Sequence, residues 1–348
     1  MILVLGDLLA DLSLRIESFP VQAGGMQRVS YFELGPGGAA NTAIAAARLG
    51  LAVGQLGEIG DDRAGRWILE DLKAEGLDVS GVIASAQATT AVAGVIVDAH
   101  AEPAYLGYPG RQYLPSLPAE WAERIQKAEA LFVDGWVDHT RQADLILEGL
   151  QGARKSGVPS FFDPGPGNPA LDNAWHAAAC RRASVVLATE DEAQRISGRS
   201  DPLESARAIL ALGPELVVIK RGVAGCFLVR QDEVYLAGGY PVDALDTTGA
   251  GDSLDAAVID GYLRRLPLSA LGTLANAVGA AKVLKLGTGR NVPTRDEVRA
   301  ILRRFAGNVA SVLQVRYRHV GRQHVHDVLI ILVQQRYPGN DAGQQINQ

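Results

Sequence analysis

Seven consecutive residues, Asp246-Thr247-Thr248-Gly249-Ala250-Gly251-Asp252, run directly into an apolar stretch over residues 256–263. A Gly-rich turn that opens a helix exposes backbone N–H groups without intrahelical acceptors, with the positive end of the helix dipole behind them. Such a turn suits a phosphate or a developing oxyanion. Asp252 falls in the first helical turn, where a carboxylate could accept the proton of an attacking hydroxyl. A purely structural reading is also open, in which Asp246 or the threonines cap the helix and Asp252 complements its dipole.

A second small-residue segment is Gly35-Pro36-Gly37-Gly38-Ala39-Ala40-Asn41. Gly35, Gly37 and Ala40 match the G-x-G-x-x-A dinucleotide pattern, which belongs after the first strand of a βαβ unit with an acid about 20 residues on. Here it follows an extended segment, and the nearest acid is Glu58, so the placement is poor. Close backbone approach to a polyhydroxylated ligand is the other use, with Asn41 offering a donor and an acceptor together. Asp7 and Asp11 lie just past the first apolar run, where α/β sheets bind ligands, and Asp11 could accept bonds from sugar hydroxyls. Thr189 and Glu192 have capping-box spacing; Glu192 could also sit near a hydrated Mg²⁺. Lys220-Arg221-Gly222 could meet a polyphosphate or form a solvated strand end. The chain contains no G-x-x-x-x-G-K-[ST], H-E-x-x-H, C-x-x-C or G-x-S-x-G pattern. His319, His324 and His326 match no standard metal spacing.

The elements that must position these residues alternate. Short apolar runs at 1–5, 52–56, 130–133, 159–162, 185–188 and 216–219 read as strands, and 39–49 and 63–75 as helices stopped by Gly50 and Gly76. Continuously apolar strands separated by helices imply a parallel sheet covered on both faces. Residues 12–19 with 29–34, and 91–97 with 104–108, read as extended without intervening helices, which predicts a small separate sheet that could act as a lid. Long helices are expected over 246–263, 269–284 and 294–305, the last with Thr294 and Glu297 in capping-box spacing. Beyond residue 306 the composition shifts: 309–320 and 325–337 suggest a β-hairpin, followed by a disordered end.

Of 348 residues, 21% are charged and 47% hydrophobic, a balance that excludes a disordered or fibrous chain. The net charge of −6, with basic residues scattered, speaks against a nucleic-acid partner. No apolar run is long enough to span a bilayer. Two cysteines and an N-terminus without a basic leader pattern point to the cytoplasm.

Taken in order, these segments resemble the PfkB family of carbohydrate kinases, with the ribokinase-like fold, over about residues 1–306. Gly37-Gly38-Ala39-Ala40-Asn41 through Gly50 looks like the family's N-terminal signature. Gly57-Glu58-Ile59-Gly60-Asp61-Asp62-Arg63-Ala64-Gly65 is similar to its G-x-x-G-x-D-x-x-G segment, and residues 246–252 look like its C-terminal signature. The resemblance implies a Rossmann-like, three-layer α/β/α domain with a mostly parallel sheet and a small β-lid drawn from about 11–36 and 89–110. It implies transfer of the ATP γ-phosphoryl group to a sugar or nucleoside hydroxyl. Asp252 would be the base, and the amides of Gly249, Ala250 and Gly251 the anion hole. Asp11, Gly37, Gly38 and Asn41 would bind substrate. Thr189 and Glu192 would act through Mg²⁺, Lys220 and Gly222 would follow the ATP phosphates, and Asn276 would lie near the adenine. Asp246 would help hold a monovalent cation such as K⁺. Dimerisation through the lid edges is a further expectation, and a non-catalytic binding protein on the same fold is the alternative. Thr189 stands where the family's N-x-x-E motif usually has Asn. Asp163-Pro164-Gly165-Pro166-Gly167-Asn168 lacks the arginine of the D-x-N-x-R pattern common among its sugar kinases, and the residues from Gly307 onward have no counterpart in the family.

Overall fold

The computed structural model describes residues 1–305 apart from 22, 102, 137–139 and 167–172. The expected tail hairpin, the three tail histidines and Gly167-Asn168 lie outside the described residues. In chain order the elements are β1 (Ile2–Leu5), β2 (Leu8–Arg15), β3 (Tyr31–Gly38), α1 (Ala39–Leu49), β4 (Val53–Gly60), α2 (Arg63–Ala74), β5 (Asp78–Ser85), β6 (Ala91–Val97) and β7 (Pro103–Tyr108). The chain continues with α3 (Ala119–Gln126), β8 (Ala130–Asp134), α4 (Thr140–Lys155), β9 (Ser160–Asp163), α5 (Asn173–Cys180), β10 (Val185–Thr189), α6 (Glu190–Ser197), α7 (Pro202–Leu210) and β11 (Leu216–Lys220). It ends with β12 (Cys226–Val229), β13 (Val234–Ala237), α8 (Ala250–Leu263), α9 (Leu268–Val283) and α10 (Arg295–Phe305).

Nine strands form one sheet in the order β13-β12-β11-β10-β9-β8-β1-β4-β5, parallel from β11 through β5. The antiparallel β12–β13 hairpin ends it. The central strands β1, β8, β10 and β11 are apolar up to their last residue, yet still obey the two-residue alternation of side chains. Ile2, Val4, Phe161, Val185 and Leu187 enter one buried cluster, which also takes in α1, α8 and α9. Leu3, Leu5, Phe162, Val186 and Ala188 enter the other, with residues of α3, α4, α5 and α7. Each face of the sheet is therefore a core, which makes three layers.

The second sheet has the order β3-β2-β6-β7. Two antiparallel hairpin pairs, β2–β3 and β6–β7, meet along a parallel β2–β6 seam. It begins earlier than the sequence suggests, because residues 8–11 pair with the Gly-rich end of β3 and with β6. Asp11 stands within β2, and Gly35 and Gly37 lie in β3, where the register sets them opposite Asp11 and Leu9. The helix expected from Asp246 starts instead at Ala250. The Asp246 carboxylate accepts the N–H groups of Thr248 and Gly287, both at 2.8 Å, which holds 246–249 as a turn. The capping boxes at Thr189–Glu192 and Thr294–Glu297 form as their spacing implies.

Candidate active site

The polar residues of the site are placed by where the parallel strands stop. β8 ends in Asp134, β9 in Asp163, β10 in Thr189 and β11 in Lys220, with Asp134 in register with Asp163 and Thr189 with Lys220. Carboxyl ends of neighbouring parallel strands are where open α/β sheets gather a ligand. The lid sheet enters from one side, and the N-terminus of α8 from the other.

Gly249 is the N-cap of α8, at φ 73°, a left-handed conformation that glycine adopts without strain. The Ala250 N–H turns back to the Thr247 carbonyl at 3.2 Å. Among the described residues no acceptor takes the N–H groups of Gly249, Gly251 and Asp252. The amides left without an acceptor at this turn are thus those of Gly249, Gly251 and Asp252, with Ala250 engaged in its own turn. A Cβ on Gly249 would lie 3.7 Å from Asp252 Oδ2, so the carboxylate lies against the Gly249 Cα.

Asn41, in the first turn of α1, donates from Nδ2 to Asp252 Oδ2 at 2.9 Å and accepts the Gly289 N–H on Oδ1 at 2.8 Å. Thr288 donates its hydroxyl to Asp11 Oδ2 at 2.7 Å. Residues 288–289 therefore bridge the lid strand carrying Asp11 and the helix carrying Asn41. Gly37, paired with Leu9, lies diagonally across from Asp11, and a Cβ there would overlap the Asp11 carboxylate. Gly38, at φ 63°, makes the joint from β3 into α1.

Desolvation, aided by the neighbouring Asp163, pushes the Asp252 carboxyl up to about 6, against the pull of Lys220 and of the Asn41 bond. Burial pushes Asp11 up to about 7, despite its bond from Thr288. Burial and Asp163 raise Glu192 to about 7.

Lys220 is held at a buried cluster, not at an open strand end. Its Nζ lies 2.7 Å from Asp163 Oδ2 and 3.2 Å from Asp255 Oδ2, and a Cβ on Gly251 would sit 3.5 Å from it. Burial disfavours the Lys220 charge, but Asp163 and Asp255 outweigh it and hold the ammonium protonated. Burial likewise opposes ionisation of Asp163, and Lys220 outweighs it, so that carboxyl stays below its ordinary value. Asp255 is raised well above its own ordinary value, chiefly by burial, against the pull of Lys220. Arg221, the second cation of the expected pair, turns away to Glu190 at 2.7 Å. Gly222 lies exposed in the turn after β11.

Thr189 and Glu192 close their capping box, with the Thr189 N–H donated to Glu192 Oε2 at 2.8 Å. Among the described residues no cluster of three or more His, Cys, Asp or Glu side chains could hold a metal ion. Asn276 donates from Nδ2 to the Ala237 and Gly238 carbonyls, both at 3.0 Å. It shapes the backbone after β13 and stands behind any base that packs there.

Four residues of this region were not singled out from the sequence: Asp134, Asp255, Lys282 and Thr288. Asp134 carries a signal in retrospect, since β8 ends in Asp as β9 does. Burial and the neighbouring Asp7 raise it well above its ordinary value. Asp255 repeats Asp252 one helical turn on. Thr288 and Lys282 acquire meaning only through partners distant in sequence.

Comparison with known proteins agrees with this geometry. The model of the pfkB family carbohydrate kinases matches residues 1–295. An ATP-dependent ribose-1-phosphate kinase of Halopiger xanaduensis is 31% identical over 84% of this chain and 94% of its own length. A nucleoside kinase of Methanothermobacter thermautotrophicus is 27% identical over 85% of this chain and 93% of its own. The structure of Arabidopsis thaliana ribokinase complexed with ribose and ATP superposes with a TM-score of 0.74 at 21% identity, over 86% of this chain and 98% of that one. The chain belongs to the pfkB family of carbohydrate kinases, and its architecture is the ribokinase-like fold.

Proposed function

We propose that this pfkB-family kinase transfers the γ-phosphoryl group of ATP to a hydroxyl of a sugar or sugar-like small molecule, with Asp252 as general base. One observation carries the reading. The Asp252 carboxylate, fixed through Oδ2 by Asn41, sits beside the unpartnered amides that open α8. Its second oxygen, Oδ1, takes the proton of the acceptor hydroxyl. The acceptor oxygen then forms its bond to the γ-phosphorus as the bond to the β–γ bridging oxygen breaks, and ADP leaves. The Gly249 and Gly251 amides and the α8 dipole stabilise charge on the transferring group, so positioning and electrostatics supply most of the catalysis.

Asp11 and the close-set backbone of Gly37 and Gly38 hold the acceptor's other hydroxyls from the lid side. Mg²⁺, arriving with ATP, neutralises phosphate charge when bound, and Glu192 is the residue placed to hold its water shell. Gly222 and the backbone at 237–238 border the nucleotide. A nucleoside acceptor is the second reading, favoured by the nucleoside kinase relative.

The lid turns Phe32 and Leu106 outward, 65% and 68% exposed. A second copy covering that face would give a homodimer, which light scattering on a size-exclusion column tests. The two cysteines, Cys180 and Cys226, are buried and unbridged, which supports a cytoplasmic location. No helix among the described residues is long and apolar enough to cross a membrane.

The test is ADP release from Mg·ATP against sugars, sugar phosphates and nucleosides. Turnover with one acceptor is expected, falling about 10²–10⁴-fold in Asp252→Asn. Undiminished turnover in that variant would remove Asp252 as base.

A further inference from the structure

Lys282, in the last turn of α9, is 0% exposed. Its ammonium has one described hydrogen bond, to the Lys285 carbonyl at 3.3 Å. An ammonium has three donors and is expensive to take out of water unless acids or dipoles compensate it. Here the compensation is the active-site turn. The Cβ position of Gly249 lies 3.5 Å from Lys282 Cε on one side and 3.7 Å from Asp252 Oδ2 on another. Burial lowers Lys282 to about 8, and Lys285 acts in the same direction; the fields of Asp246 and Asp252 oppose both and favour the charge.

The backbone around it is sewn shut. Leu245 and Asp246 N–H groups donate to the Val283 carbonyl at 2.7 and 3.3 Å, and Asp246 Oδ2 accepts the Gly287 N–H. The turn that presents the anion-binding amides is thus tied to the segment after α9, and Lys282 supplies the positive charge at that tie. A bound monovalent ion at Asp246, expected from the family resemblance, does not fit these residues. Both Asp246 oxygens already accept amides, and a second cation would meet a like charge in a buried site.

We propose that the Lys282 ammonium is a resident monovalent cation, a positioning residue that holds the Asp246–Gly249 turn and Asp252 in place, so that turnover requires no potassium. The proposal rests on the kinase reading for its turnover arm. Its second arm, thermal stability, needs no acceptor.

The experiment compares wild type, Lys282→Ala and Lys282→Met in potassium, ammonium or tetramethylammonium chloride at equal ionic strength. Wild-type turnover and melting temperature should be the same in all three salts. In tetramethylammonium, Lys282→Ala should lose about tenfold to a hundredfold in kcat, from loss of a charge acting across a few ångströms. Its KM for ATP should barely move. Potassium or ammonium should restore most of that kcat and raise the Lys282→Ala melting temperature, because the truncation leaves room for the ion. Lys282→Met fills that room without the charge, and should stay slow in every salt. Clear potassium stimulation of the wild type would overturn the proposal. So would full turnover in Lys282→Met, or a folded Lys282→Ala that no ion rescues. If no acceptor is phosphorylated by the wild type, the kinase reading fails separately, and an ion-specific rise in melting temperature confined to Lys282→Ala still decides the cation site.

Discussion

Removing the Lys220 charge gives the most direct test of how the strand ends are held. Lys220 is 8% exposed and bonds Asp163 at 2.7 Å, with Asp255 at 3.2 Å. Lys220→Met keeps the aliphatic length and deletes the charge. Breaking a buried pair by removing one partner typically costs about 3–5 kcal/mol, because the other charge is left uncompensated. Burial already raises Asp255 well above its ordinary value, so Asp163 is the carboxylate chiefly stranded, and the lower end, about 3 kcal/mol, is expected. Urea unfolding of both proteins measures it. The pH dependence checks the cause. The Asp163 carboxyl is depressed in the folded wild type, so its contribution is present above the unfolded value and is lost as pH falls through the folded one. Without Lys220, burial raises Asp163 instead, and the variant regains relative stability as that group protonates. The deficit should therefore shrink as pH falls below neutral, and adding Asp163→Asn should recover much of it at neutral pH. A loss below about 1 kcal/mol, or one independent of pH, would refute a cluster held by charge.

Three further outcomes follow from the same geometry. The base must be ionised, so kcat/KM should fall on the acid side with bends near 7 from Asp11 and 6 from Asp252; Asp11→Asn should keep only the lower bend, and a profile flat down to pH 5 would contradict both assignments. Gly37→Ala places a methyl on the Asp11 carboxylate, so the acceptor KM should rise at least about tenfold while the KM for ATP stays; equal effects on both would point to general disruption. Thr189→Ala removes a cap whose hydroxyl bond to the Glu192 N–H is 3.3 Å long, so unfolding should register about 0.5–1 kcal/mol, and a larger loss would mean the threonine does more than cap.

Strands β1, β4 and β8 to β11 were legible because both of their faces are buried, which writes an apolar run into the sequence; the part-exposed β5 and the β12–β13 hairpin were not. The anion turn was legible because small residues and an acid must precede α8 directly. Where α8 begins was not, since Asp246 is held out of the helix by the amide of Gly287, 41 residues on. That β2 begins at Leu8 was not legible, because residues 8–11 pair a glycine-rich stretch that carries no alternation. Lys282 and Asp255 read as ordinary helix charges. Only the packing of α8 against α1 and α9 turns them inward, and no local pattern records that. Thr288 meets Asp11 across 277 residues, beyond the reach of spacing arguments.

Asn41 works as a joint with its orientation fixed, since a carboxylate can only accept and a backbone amide can only donate. One end of its amide grips the base and the other grips residue 289. Any change that shifts the 287–291 loop will therefore rotate the grip on Asp252 and, through Thr288, move the Asp11 carboxylate with it. The loop becomes a tuning screw: substitutions in it can trade turnover against acceptor choice while every residue of the phosphoryl-transfer centre stays the same.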